Sequence, residues 1–202
     1  MYTFITTVDR LNAGIGKAFG WYILILTFGV SYEVFVRYVL HNPTIWAYDL
    51  AYNAYGALFI MAGAYTLGRN AHVRGDVVYR LMPERAQAGI DLTLYILFYF
   101  PGILSLTIAG YYYASDSWGY HELSVYSPAD IPIFPLKTLI PVAGLTLILQ
   151  GLAEVCRCLI CFRTGSWPDR LHDVEELESA ILHEREYAAA HSQDAAGRGA
   201  AT

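Results

Sequence analysis

Four long apolar runs, each almost free of charge, dominate the chain at about residues 17–40, 45–67, 89–113 and 135–161. A helix lying on a soluble core interrupts such a run every few residues to make a wet face. A helix crossing hydrocarbon instead needs about 20 consecutive apolar residues. Inside lipid every backbone N–H and C=O must be bonded within the segment, so an open chain of such runs becomes helices. The runs therefore predict an all-α membrane protein with four transmembrane helices. The composition agrees, with 55% hydrophobic and 15% charged residues.

Orientation is read from Lys and Arg, which are retained on the cytoplasmic side of short loops. Arg69, Arg74, Arg80 and Arg85 lie between the second and third runs, Arg10 and Lys17 precede the first, and Arg157 and Arg163 flank the last. Only Arg37 and Lys137 fall on the other side. Both termini are thus expected in the cytoplasm, with a cytoplasmic loop at 68–88 and a periplasmic loop at 114–134. The first run has no small-residue cleavage site after its apolar core and is expected to stay as an anchor. Pro101-Gly102 is expected to bend the third span.

Residues 1–161 form the expected membrane domain and 162–202 an acidic cytoplasmic tail, which carries eight of the eighteen acids but four of the thirteen bases. Between Ala71 and Leu81, Val73, Val77, Val78 and Tyr79 alternate with Arg74, Asp76 and Arg80, the pattern of a short interfacial helix. In the tail, Leu171, Val174, Leu177 and Ile181 recur at helical spacing among acids, predicting a C-terminal amphipathic helix. No basic stripe exists to bind nucleic acid. Cys156, Cys158 and Cys161 sit within six residues. On a helix the first two point ~200° apart, which suits packing thiols better than metal ligation.

Ionisable groups inside a span are expensive and face protein or a water-filled path. Glu33 and Arg37 are four apart and share a helix face, so they can pair. Asp49 enters the second run after a short turn and is expected beside them. Asp49, Asn53, Gly56 and Gly63 occupy one narrow arc of that run, and Gly29 lies on the Glu33 face. Small residues let helices approach closely and polar ones bond across the gap. A helix-packing seam locked at its outer end by Glu33, Arg37 and Asp49 is the expectation. The inner halves of the spans look almost free of ionisable groups, which argues against a proton relay. His41, His72, His121, His172, His183 and His191 all fall in loops or the tail, away from where axial haem ligands would sit. No hydrolase, metalloprotease or P-loop motif occurs, so catalysis is not indicated. An anchor subunit of a redox complex and an autonomous small oligomeric transporter remain as other readings.

The stretch Tyr32-Glu33-Val34 with Arg37-Tyr38, then Asn42-Pro43, Trp46 and Asp49, resembles the first hairpin of the small permease subunit of tripartite ATP-independent periplasmic (TRAP) transporters. Gly63-Ala64, Arg69, His72-Val73 and Asp76 resemble the end of that family's second span and its cytoplasmic loop, where Arg74 also lies. Ser127-Pro128, Pro135, Lys137, Pro141, Gly144 and Gln150 resemble its last loop and span. Asp49 stands where Glu is commoner, and the acidic tail is longer than usual. The resemblance implies an inner-membrane subunit that helps hold a large elevator permease subunit, with a periplasmic binding protein delivering an organic acid. It places sodium in the large subunit and no cofactor in this chain. Membrane lipid is the remaining expected partner.

Overall fold

The computed structural model describes residues 1–70, 79, 81–168 and 170. Its helices lie in one compact unit, Met1–Asp169. They are α1 (Tyr2–Gly20), α2 (Tyr22–Tyr38), α3 (Ala47–Gly68), α4 (Glu84–Leu94), a π-helical turn (Tyr95–Tyr99), α5 (Phe100–Tyr120) and α6 (Phe134–Thr164). Among the described residues the only strand-like pairing is an isolated bridge between Leu123 and Pro132.

Three helical stretches are long and apolar enough to cross a membrane: Tyr2–Tyr38, Glu84–Tyr120 and Phe134–Thr164. The first begins well before Lys17, because α1 and α2 are joined almost continuously at Trp21, which itself has helical dihedrals. The second expected span, α3, has 22 residues but is not among the three. Asp49, Asn53, four tyrosines and three glycines dilute its hydropathy, although at ~1.5 Å per residue it is about as long as the hydrocarbon is thick.

The third stretch carries its irregularity just before Pro101. Proline has no N–H to give the preceding turn, and the backbone answers by widening: the Phe100 N–H bonds the Tyr95 carbonyl five residues back. Pro101 then sits in the first turn of α5, so the expected bend resolves into a local π-turn within one long stretch.

Chain reversals place the start of α1, the end of α3, the start of α4 and the end of α6 at one end of the bundle. Ile5 and Val8 of α1 pack on Ala153 and Ile160 of α6 there, and the Trp167 N–H bonds Glu84 at 3.1 Å. α6 is the central element and packs on α1, α3, α4 and α5, whereas α2 leans chiefly on α3. Accordingly 39% of the apolar stretch of α6 is buried, against 6% in each of the other two. Close approach in this core depends on glycines that differ from those expected. A Cβ on Gly110 would come within 2.6 Å of Ile140, one on Gly151 within 2.5 Å of Tyr99, and one on Gly144 would collide with Thr107. All three notches lie where α6 meets α5 or the π-helical turn before it.

The interfacial helix expected at 71–81 lies almost wholly outside the described residues, as do His72, Arg74 and Asp76 and the amphipathic helix of the tail.

Candidate intramembrane polar network

Five deeply buried polar side chains are brought together by α1 and α6. Asp9 and Asn12 are one turn apart on the inner face of α1, while Gln150, Glu154 and Arg157 line one face of α6. Each of the five is 3% exposed or less. Arg157 is the hub for charge: its guanidinium bonds Asp9 through one terminal nitrogen and Glu154 through the other. Gln150 is the hub for neutral bonds. Its amide oxygen accepts from Asn12 Nδ2 at 2.7 Å, and its Nε2 donates to Asp9 at 2.9 Å and to Glu154 at 3.3 Å. Gly68, at the end of α3, closes over this amide, because a Cβ there would lie 2.8 Å from Gln150 Nε2. Three helices thus meet at one polar joint.

This joint departs from the expectation that ionisable groups within the spans are confined almost entirely to the end that holds Glu33, Arg37 and Asp49. Arg157 is not a flanking charge reaching for headgroups but a fully buried one. Asp9 lies on a helix that the apolar run beginning at Lys17 did not include. The signal available in the sequence was the helical spacing Gln150, Glu154, Arg157, which repeats every three or four residues inside an apolar run.

At the opposite end the polar groups form separate pins. Glu33 pairs with Arg37, whose Nε and terminal nitrogen donate to Oε1 at 2.8 and 2.6 Å. Its other carboxylate oxygen accepts from the Thr44 N–H at 3.1 Å and from the Thr44 hydroxyl, closing the turn between α2 and α3. Asp49 does not join them. It is fully buried and accepts from the Ser124 hydroxyl at 2.6 Å and from the Ser127 hydroxyl, fastening the 121–133 loop onto α3. Asn53 Nδ2 turns back to the Asp49 carbonyl at 2.8 Å. The reason is reach: Asp49 starts α3 facing the loop, whose two serines take both carboxylate oxygens.

A third pin holds the same loop to α6. Glu122 accepts from Ser117 Oγ at 2.7 Å and from Lys137, whose ammonium also lies 3.9 Å from the centre of the Tyr113 ring. Those bonds, led by Lys137, hold the Glu122 carboxyl below its ordinary range. Tyr126 packs against Tyr48 and Tyr52, and Ser124 N–H bonds the Ile131 carbonyl at 2.8 Å.

The remaining expected positions are structural in their surroundings. Gly29 faces Leu50 and Gly56 faces Leu136, each at 3.2 Å from an added Cβ, while Gly63 leaves ordinary room of 3.7 Å to Leu147. Arg69 lies over the Tyr65 ring at 4.6 Å. Among the described residues no cluster of three His, Cys, Asp or Glu could hold a metal ion.

Long apolar helices packed around one central helix, with their polar groups turned onto one another, define a multi-pass helical membrane protein. The family described as tripartite ATP-independent periplasmic transporters, DctQ component, matches residues 26–161, and the chain belongs to it. It is therefore a small membrane subunit of a TRAP transporter, a component of a transport system of the inner membrane. No curated protein matches the chain in sequence.

Proposed function

We propose that this subunit is a fixed scaffold for a large elevator-type permease subunit, in a bacterial importer that uses sodium to take up an organic acid handed over by a periplasmic binding protein. The observation that carries this reading is where the polarity goes. Asp9, Gln150, Glu154 and Arg157 bond one another, Asp49 is consumed by two serines, and Glu33 by Arg37 and Thr44. Such groups hold helices together. The outward faces of α2, of the π-helical turn and of α5 are instead apolar, with Phe28, Phe35, Leu97, Phe98, Leu106 and Ile108 all exposed, and suit contact with a large subunit and with lipid.

In this reading α3 is a fourth crossing, both termini are cytoplasmic, and 162–202 is a cytoplasmic tail. Exposed basic residues support the orientation: Arg10 and Arg85 lie toward the end of the bundle that holds the α1 start and the α6 end. The joint of α1, α3 and α6 then sits toward the cytoplasm, and the 121–133 loop caps the periplasmic side. Sodium and substrate ligands belong to the large subunit, and this chain needs no cofactor.

Co-expression with a tagged large subunit tests the reading. The chain should copurify with it in mild detergent, and a reporter fused at Thr202 should stay inside the cell. A chain that purifies alone while the large subunit transports normally without it would reject the scaffold role.

A further inference from the structure

We propose that a wedge between α2 and α6 holds one acyl chain of a phospholipid, drawn from the leaflet on the side of the 121–133 loop, as a built part of the subunit. α1 and α2 run almost continuously through Trp21 but meet different neighbours. α1 packs on both α3 and α6, whereas α2 leans chiefly on α3. The first helical stretch therefore parts from α6 as it runs toward the loop. The gap is a groove of about 660 Å³, lined by Tyr22 and Ile25 of α2, Leu50 and Ala57 of α3, and Leu136 and Leu139 of α6. Among the described residues that line it none is charged, and its one side-chain amide, Asn53, gives its Nδ2 to the Asp49 carbonyl.

The two ends of the groove select its occupant. At one end are Trp46, which precedes α3, and Ile131 and Pro132 of the loop. Along α3 the groove reaches Ala57, eleven residues on, or about 16 Å at ~1.5 Å per residue. That is about half of the ~30 Å hydrocarbon, the depth of one leaflet and so the length of one acyl chain. At the other end the helices close. A Cβ on Gly29 of α2 would lie 3.2 Å from Leu50, and one on Gly16 of α1 would lie 2.6 Å from Tyr65. Phe19 and Tyr22, stacked with ring centres 5.4 Å apart, fall between these two contacts and end the groove. Beyond them α1 is tied to α6 by Asp9 and Arg157. A partner's transmembrane helix laid between α2 and α6 would cross both leaflets and run into α1, whereas an acyl chain stops where the groove stops. Lipid tails are as apolar as Leu, so dispersion contact with the walls, rather than escape from water, is what retains the chain.

Photolabelling of the whole complex tests this directly. The complex is taken from membranes equilibrated with a phosphatidylethanolamine that carries a diazirine on one acyl chain, washed in detergent until loose lipid is gone, and then irradiated. Label is expected on Ile25, Leu136 or Leu139. I25W and L139F, which fill the groove with larger rings, should each lower it several-fold in complexes that elute like the native one, while F98W, on the exposed face of the π-helical turn, should leave it unchanged. Absence of label from these residues in the native complex, or equal loss in F98W, would overturn the proposal. So would a map of the complex with a helix of the large subunit, or a second copy of this chain, seated in the groove. Failure of the chain to hold the large subunit would reject the scaffold role alone, because the groove belongs to this chain and the labelling can then be read on it by itself.

Discussion

The two ends of the bundle hold similar chemistry in different solvents. At one end Arg157 pairs with Asp9 and Glu154 at 0 to 3% side-chain exposure; at the other Arg37 pairs with Glu33 while half its own side chain is exposed. Removing one partner of a buried pair strands a charge and costs about 3–5 kcal/mol, whereas an exposed pair is worth about 0–1 kcal/mol. The same residue types therefore act as a keystone in one place and a trim in the other. Burial decides which, and burial is set by whether a third helix arrives to cover the pair.

The sharpest break of this comparison is Arg157→Ala. It should reduce folded protein severely, with destabilisation of about 3–5 kcal/mol in thermal unfolding. Replacing Asp9, Glu154 and Arg157 together by Leu, Leu and Met should recover much of that loss, because apolar groups of similar volume can substitute for a buried ionic set. If the triple variant is as unstable as Arg157→Ala, stranded charge is not the cause.

Next in size is the α5–α6 contact. Gly144→Ala drives a methyl into Thr107 and should cost about 1–3 kcal/mol by overpacking. Gly63→Ala, with 3.7 Å of room to Leu147, should be close to neutral. Equal effects of the two alanines would mean that the close approach lies elsewhere.

Asp49→Ala strips the acceptor from two serines and should cost about 1–3 kcal/mol. Its signature is local: faster amide exchange across 121–133, with α6 unchanged. The Glu122 pin adds a pH dependence of known sign. Its carboxyl is held below the ordinary 4.5 by Lys137 and Ser117, so its contribution is fully present above that value and is lost as pH falls through the lowered one. Exchange in the loop should therefore rise only in acid below about 4.5, and E122Q should abolish that rise. Smallest of all, Arg37→Ala should change stability by no more than about 1 kcal/mol.

What the sequence revealed followed from periodicity. The apolar runs coincide with α3 and α6 to within about three residues at each end and overlap α2 and the Glu84–Tyr120 stretch more loosely, since hydropathy is a property of contiguous chain. Glu33 and Arg37 were visible as a pair because four residues make one helical turn. The Asp9–Arg157 pair was not, because its members are 148 residues apart and only packing brings α1 onto α6. Helix α1 itself was hidden: it mixes polar residues with apolar ones over Tyr2–Gly20, which reads as a flank until Ile5, Val8, Asp9 and Asn12 are seen on one buried face. Asp49 was misdirected for a related reason. Nearness in sequence to Glu33 and Arg37 suggested company, while the loop serines that claim it are more than seventy residues away. Local order reads well from one strand of text; partners joined by tertiary packing do not.

The most direct test of the account is solute flux through the purified subunit reconstituted alone in liposomes under a sodium gradient. Because its intramembrane polar groups are bound to one another, the subunit by itself should pass no organic acid above empty vesicles, and uptake should require the large subunit and the binding protein. Saturable, sodium-dependent uptake by this chain alone would contradict it.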